Sequence, residues 1–311
     1  MSKRILVATD GSPGALGALR IARLLAERDG SEVEVLTVYE PPPLYPVEYN
    51  VSVPDPELDR YRSDAQLRGV RAQVREVTGQ DHGWEIHARI GAVAPAIARQ
   101  AAEGNFSRIL LGIGHHRPLD RWLGSETVLR LIQLAHVPVL AVQPDVSELP
   151  RRALVAMDFS DLSIEAARAC LSMLWDAADV HLVHASWIAA DHEKDNGREA
   201  GSEWVRTYEA GIRARLDDLA RELGGRDGVA VRTSVVGAWV GNDVARVLLE
   251  TARHEGAELI AAGSHGLGFF GRVLMGSVST KLLRGAGCSV LVVPPREIPE
   301  EIGQISSAGV S

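Results

Sequence analysis

Between residues 263 and 280 the chain reads Gly263-Ser-His-Gly266-Leu-Gly-Phe-Phe-Gly-Arg-Val-Leu-Met-Gly276-Ser277-Val-Ser279-Thr280. An apolar run precedes this stretch and a segment with helical spacing follows it. Gly263 and Gly266 carry no Cβ, so the backbone there can turn sharply and come close to a ligand. Such a turn presents successive N–H groups as a concave anion nest. Gly276-Ser277 stands at the start of the next helix, where unpaired N–H groups and the helix dipole favour phosphate. Ser277, Ser279 and Thr280 add hydroxyl donors. The chemistry implied is a phosphate cradle. His265 lies inside it, either touching phosphate or solvated. Arg272 faces the same choice between phosphates and surface acids.

A second group with chemistry is Asp158, at the end of the apolar run Arg152-Ala-Leu-Val-Ala-Met. A carboxylate at the carboxyl end of a strand can accept from ribose hydroxyls or hold a metal-bound water. It can equally cap the helix that starts near Ser160. Other constellations are weak. His115-His116 has no acid or histidine at ligand spacing. Cys170 and Cys288 form no metal-like pair and read as reduced, buried small hydrophobes. No Gly-Lys-Ser/Thr order follows the glycines, and no nucleophile-base set is suggested by spacing. The six tryptophans (Trp84, Trp122, Trp175, Trp187, Trp204, Trp239) are scattered, without the basic interleaving of single-strand binders.

The elements that must hold these groups are written twice. Arg4-Ile-Leu-Val-Ala-Thr-Asp10-Gly-Ser12 returns as Arg152-Ala-Leu-Val-Ala-Met-Asp158-Phe-Ser160. Val35-Leu-Thr-Val38 parallels His181-Leu-Val-His184, and Gly91 parallels Gly237. Ile109-Leu-Leu-Gly112 parallels Ile260-Ala-Ala-Gly263. Val137-Pro-Val-Leu-Ala-Val142 parallels Cys288-Ser-Val-Leu-Val-Val293. This is a tandem duplication. Short apolar runs near 4–9, 33–38, 84–89, 108–113 and 138–142 alternate with helical spacings such as Leu16, Leu19, Ile21, Ala22 and Leu25. Several runs are continuous, the mark of strands covered on both faces. Each half therefore reads as a five-stranded, doubly wound α/β unit with a parallel sheet, its ligand beyond the strands' carboxyl ends at the switch point. Domains are expected at 1–146 and 151–296. The polar, proline-bracketed Pro144–Pro150 is the linker, and 297–311 is a frayed tail. The six prolines between 40 and 56 mark a surface excursion after the second strand, and 186–203 is its acidic, polar counterpart.

The spacing Gly263-x2-Gly266-x9-Gly276-Ser277 matches the ATP-binding signature of the universal stress protein family. With the strands ending at Asp158 and Val183, the resemblance spans residues 3–143 and 151–295. The chain resembles a tandem universal stress protein. That resemblance implies the adenine nucleotide alpha hydrolase-like fold, dimerisation through the last strand and, as in those members of the family that bind it, ATP with Mg as ligand. Carried over residue by residue, Ala156, Met157, Asp158 and Val183 line the adenosine pocket. Gly263, His265, Gly266, Gly276, Ser277, Val278 and Ser279 contact ribose and phosphates. The first half departs from the signature. Gly112 to Gly124 is one residue shorter than Gly263 to Gly276, His115 replaces a glycine, and Pro118 and Asp120 add rigidity and negative charge. It is expected to be impaired or empty, though Asp10-Gly11-Ser12 and Gly124-Ser125 are retained.

Composition narrows the class. Net charge is −8 and no Lys/Arg run exceeds two, which argues against a nucleic-acid partner. No window approaches a membrane span and no signal peptide is visible, so a cytoplasmic protein is expected. Three readings remain open: an ATP-binding regulator acting in stress response through conformation or assembly, a nucleotide-independent scaffold, and a slow ATPase timer. None assigns a catalytic or metal-ligating residue. The last strands, Val139–Val142 and Val290–Val293, are expected to pair antiparallel within the chain, which covers two hazardous edges. Dimerisation of whole chains stays open.

Overall fold

The computed structural model describes residues 3–42, 46–47, 50–51, 55–79, 83–113, 125–186, 199–224, 228–238, 243–266 and 275–296. In the first half β1 (Arg4–Ala8) leads through a short 3-10 turn (Pro13–Ala15) to α1 (Leu16–Asp29) and β2 (Glu32–Tyr39). The proline-rich excursion holds a two-stranded antiparallel ladder, β3 (Pro46–Val47) and β4 (Asn50–Val51), before α2 (Pro56–Thr78). Then come β5 (Glu85–Ile90), α3 (Val93–Glu103), β6 (Arg108–Gly112), α4 (Ser125–Leu134) and β7 (Val139–Val142). The second half repeats the order with β8 (Arg152–Ala156), α5 (Asp161–Leu171), β9 (Ala178–Ser186), α6 (Glu199–Leu223), β10 (Val229–Gly237), α7 (Val244–His254), β11 (Leu259–Gly263), α8 (Ser277–Gly285) and β12 (Ser289–Val293).

Ten strands form one sheet in the order β10-β9-β8-β11-β12-β7-β6-β1-β2-β5. Within each half neighbouring strands are parallel, and strand order reverses between β1 and β6 and between β8 and β11. At the centre β12 runs antiparallel to β7, with Val290 opposite Ala141 and Val292 opposite Val139. Parallel strands need crossover helices, and these coat both faces. Ile5, Val7, Val155 and Leu291 point into one core, against α1, α2, α5 and α6. Leu6, Ala8, Leu154 and Val290 point into the other, against α3, α4, α7 and α8. Both cores run across the β7–β12 seam. None of the described helices is long and apolar enough to cross a membrane.

The strand register corrects two of the sequence parallels by one residue. Arg4 lies opposite Glu32, and its counterpart Arg152 lies opposite Asp179. Leu36 is therefore the partner of Val183 in the repeat, and Glu34 that of His181. Likewise Ile90, opposite Tyr39, matches Gly237, opposite Ser186. A slip of one residue moves every side chain to the other face. The first error arose because apolar residues flank either alignment of β2 and β9, and the second because Gly91 follows β5 while Gly237 ends β10. The segment between the halves also differs from a purely polar linker: Leu149 is 1% exposed and belongs to the core beneath α1 and α5. Beside it lies a cavity of about 240 Å³, lined from both halves by Ile21, Leu140, Met173 and Leu259.

The expected tail at 297–311 lies outside the described residues, as do His115, His116, Pro118, Asp120, Gly124, Arg272, Trp122, Trp187 and Trp239. Burial pushes the Cys170 thiol up to about 12 and the Cys288 thiol up to about 11. At neutral pH both are thiols, not nucleophilic thiolates.

At the end of α7, Glu255 lies 2.8 Å from His181 Nδ1 on β9 and 2.7 Å from the Arg232 guanidinium on β10. Partial burial pushes this carboxyl up, but the hydrogen bonds and charges of Arg232 and His181 more than offset that and hold it below its ordinary value of 4.5. A carboxyl lowered in the folded state stabilises fully above its unfolded value and loses that contribution as pH falls through the folded one. Glu255→Gln should therefore flatten the loss of stability below about pH 4.5, read as urea midpoints across pH. A second test concerns two helical glycines. A Cβ on Gly17, in α1, would lie 2.1 Å from the Gln143 carbonyl oxygen, whereas one on Gly69, in α2, meets nothing within 4 Å. Gly69→Ala should stabilise by about 0.5–1 kcal/mol. Gly17→Ala should destabilise by about 1–3 kcal/mol, because a backbone carbonyl cannot move aside.

Candidate functional site

β8 ends at Ala156 while its neighbour β9 continues to Ser186. Val183 pairs with Ala156 and accepts from Met157 N through its carbonyl, at 2.8 Å. Val183 is thus not the end of its strand, as the sequence suggested. It is the point where the central sheet opens and His184, Ala185 and Ser186 run on past it. In the gap between β8 and β11 the chain turns outward on both sides, and the cleft falls at this switch point.

Asp158 organises the turn after β8. Its Oδ1 accepts from Ser160 N at 2.9 Å and from Ser160 Oγ at 2.6 Å. Ser160 is the N-cap of α5 and accepts from Ser163 N at 3.2 Å. Asp158 therefore steadies the cap residue and does not cap the helix itself. Between the two, Phe159 adopts φ 63°, a left-handed conformation that costs a β-carbon-bearing residue on the order of 1 kcal/mol or more. Gly11 takes the same conformation, φ 78°, in the first half, where Asp10 Oδ1 accepts from Ser12 N at 2.8 Å.

The three glycines of the cradle serve close approach, not an unusual turn: none has a positive φ. A Cβ on Gly266 would lie 2.7 Å from Asp158 Oδ2. One on Gly276 would lie 2.9 Å from the Ser264 carbonyl oxygen, which accepts from Gly276 N at 2.8 Å, and one on Gly263 would lie 2.8 Å from Leu162 Cβ. Two of the three expected hydroxyl donors are already engaged. Ser279 Oγ donates to the Gly263 carbonyl at 2.6 Å, and Thr280 Oγ1 to that of Gly276 at 3.0 Å. The first bond ties α8 to the end of β11, and the second closes on the N-cap of α8 itself. Ser277 is the exposed one.

Gly276 is the N-cap of α8, with no side-chain cap bond and no acid in the first turn. α5 differs, with its Ser160 cap and Asp161 in the first turn. The N–H groups of the first α8 turn have no partner within their helix, so the positive dipole end open to an anion belongs to α8.

All eleven residues singled out in the sequence (Ala156, Met157, Asp158, Val183, Gly263, His265, Gly266, Gly276, Ser277, Val278 and Ser279) line one cavity of about 610 Å³. That is the size range of small-molecule pockets. The polar wall is Asp158, His265 and the start of α8. The apolar wall adds residues that sequence reasoning missed: Ala185, Tyr208, Val244 and Leu248, with Ser163, His184 and Ser186 beside them. His184 Nδ1 lies 2.8 Å from the Met157 carbonyl, and its ring sits 5.2 Å from that of Phe159. His184 and Ser186 could have been found by extending β9. Tyr208 could not, because α6 carries no motif.

The corresponding recess of the first half, lined by Ala8, Thr9, Asp10, Leu36, Val38, Val93 and Ile97, measures about 10 Å³ among the described residues, barely the volume of one water. Register explains the difference. Tyr39 stands where the second half has Ser186, is 7% exposed, and donates from its hydroxyl to Asp59 at 3.1 Å. Gln66, on α2, bonds Thr37 Oγ1 at 2.7 Å and the Val38 carbonyl at 3.1 Å. Val70, one turn on, packs against Gly11. In the second half Arg215 lies over the Phe159 ring at 4.3 Å, and one turn earlier stands Gly211, whose Cβ position is open.

A profile of the Universal stress protein family matches residues 1–143 and again 150–294. The chain belongs to the universal stress protein family. It is 26% identical to a universal stress protein of Mycolicibacterium smegmatis, covering 94% of this chain and 97% of that one. Among solved structures it shares its fold with a universal stress protein from Archaeoglobus fulgidus, at TM-score 0.63 and 20% identity, covering 96% of this chain and all of the other. A universal stress protein fold from Pseudomonas aeruginosa, described as putative, matches at TM-score 0.62 and 18% identity, each chain 98% covered. These likenesses span the duplicated architecture, not one half of it.

Asp158 can be tested apart from any ligand. Asp158→Ala removes the acceptor of two bonds at the α5 cap and should destabilise by about 1–2 kcal/mol. Asp158→Asn keeps an acceptor oxygen and should recover most of that, compared by denaturant midpoint.

Proposed function

We propose that this universal stress protein binds one adenine nucleotide per chain, in the second half, and acts as a nucleotide-responsive regulator in stress response. The observation that carries the reading is the cavity at the β8/β11 switch point. It holds an acid-free, uncapped helix start reached by two glycines, and much of the rest of its lining is apolar. A phosphate chain suits the helix start and a base the apolar lining.

The fit to ATP rests on the spaces a Cβ would fill. Gly266 and Gly276 leave no room for side chains between the cradle backbone and Asp158 or Ser264. Ser277, Val278 and the amides of the first α8 turn would face the phosphates. Asp158 would serve a ribose hydroxyl or a water of a Mg ion travelling with the nucleotide. His265 Nδ1, 2.9 Å from Ser264 Oγ, is oriented at the cradle rim. Ala156, Met157 and Val183 would line the base and ribose. Among the described residues no Lys or Arg lines the cavity to clamp a transferring phosphoryl group, which favours binding over fast phosphoryl transfer. Tyr39 and Gln66, packed beside the recess at Asp10, support one site per chain. We place the halves as units at 1–146 and 151–296, held through β7 and β12 so that the nucleotide acts on a joined pair. A nucleotide-independent scaffold is the reading that failure would favour.

Calorimetric titration of the nucleotide-stripped chain with Mg·ATP should give one site per chain. Gly276→Asp, which sets a carboxylate at the helix start and against the Ser264 carbonyl, should abolish it. Two sites would reverse the reading of the first half, and retained affinity in Gly276→Asp would remove the cradle assignment.

A further inference from the structure

The two halves place their aromatic bulk on opposite sides of the cleft. In the first half the strand supplies it: Tyr39 on β2, buried and hydrogen-bonded to Asp59 on α2. In the second half the strand carries Ser186, and the helix supplies the aromatics. Aligning Arg215, which covers Phe159, with Val70, which covers Gly11, sets Tyr208 at the position of Ser63 and Trp204 at that of Asp59. Tyr39 is filler, sealed into its half. Tyr208 and Trp204 are 36% and 62% exposed, stack on each other at 5.7 Å between centroids with 21° between planes, and Tyr208 lines the 610 Å³ cavity. An exposed aromatic pair at the lip of a cavity is surface still to be buried.

Resting on the nucleotide reading above, we propose that Tyr208, backed by Trp204, is the stacking platform for the base. It would make the site selective for a nucleoside over a bare polyphosphate. Three features support this. The platform is on α6, on one face of the sheet, while α8, whose start is the anion-binding end, lies on the other face, and both line the cavity. Position 211, next along the same helix face, is glycine with open space at its Cβ, so a flat ring can lie along α6 without collision. Planar rings gain from offset stacking whatever their hydrogen-bonding edges, so the platform reads the presence of a base and not its identity.

The test uses the full-length chain and three probes: adenosine, Mg·ATP and inorganic tripolyphosphate. Tyr208→Ala should weaken adenosine and Mg·ATP about tenfold and leave tripolyphosphate unchanged, while Tyr208→Phe should stay within about twofold of wild type. Tyr208 is exposed enough for truncation to leave the fold standing, and the unchanged tripolyphosphate affinity checks that independently. Quenching of tryptophan fluorescence by adenosine should fall in Trp204→Phe, which keeps a ring but removes one of the six emitters. If Tyr208→Ala binds adenosine as tightly as wild type, the platform is overturned and the nucleotide site stands. If wild type binds none of the three probes, the nucleotide reading itself fails and the platform falls with it.

Discussion

A single carboxylate sets the geometry of the candidate site. Asp158 Oδ1 holds Ser160 through two hydrogen bonds and so starts α5, while Oδ2 lies where only a residue without a Cβ can stand at position 266. The end of β8, the start of α5 and the loop after β11 are brought to one point by that residue. A bulkier residue at 266 would have to push the carboxylate, and the carboxylate cannot move without loosening the helix cap. The glycines are therefore part of the protein's own packing before they are part of a ligand site. Gly276 follows the same logic, since its N–H bonds the Ser264 carbonyl and its Cβ would collide with that oxygen.

This explains why so much of the site was legible. The spacing Gly263, Gly266, Gly276 marks backbone approaches that no other residue allows, and such positions announce themselves by residue type. Continuous apolar runs likewise announced β1, β6, β7 and their repeats, because a strand covered on both faces admits little else. Legibility failed where chemistry is degenerate. β2 and β9 could be aligned with a slip of one residue because apolar neighbours stand on both sides, and only the pairing of Arg4 with Glu32 and Arg152 with Asp179 sets the register. Ser279 and Thr280 looked like ligand donors because a hydroxyl's partner is not written in its residue type. Here both partners are carbonyls of the same chain. Leu149 sat in a polar segment, and its burial comes from the core it shares with residues of α1 and α5. Tyr208 is separated by a whole crossover from the strands it serves.

Phe159 is the least expected of these residues. A left-handed φ normally selects glycine, and the first half has Gly11 there. Placing a phenyl ring at that point fills the space through which Val70 reaches the loop in the first half. In its place Arg215 lies over the ring, and His184 flanks it. The backbone strain is thus offset by a cation–π contact and by burial, since Phe159 is 8% exposed. The consequence lies on the helix above it, which meets an aromatic face and a long side chain where α2 meets a glycine.

The two halves then divide what a single unit must compromise over. Closing the cleft with Tyr39, Gln66 and Val70 buries polar and apolar groups with partners on hand, which favours stability. Leaving it open requires a strained Phe159, an uncapped α8 and exposed aromatics on α6, each of which works against stability. In this chain the closed and the open arrangement share one sheet through β7 and β12, and both cores continue across that seam. Arg28, from the first half, bonds the Ser172 carbonyl of the second at 2.7 Å, and Gln143 N bonds Ser289 Oγ at 3.3 Å. Unfolding the open half alone would expose the β7 edge and sever both cores, so its local stability is tied to that of the closed half. A duplicated chain can in this way keep a cavity of about 610 Å³ in one repeat while Tyr39, Gln66 and Val70 fill the space beside β2 in the other.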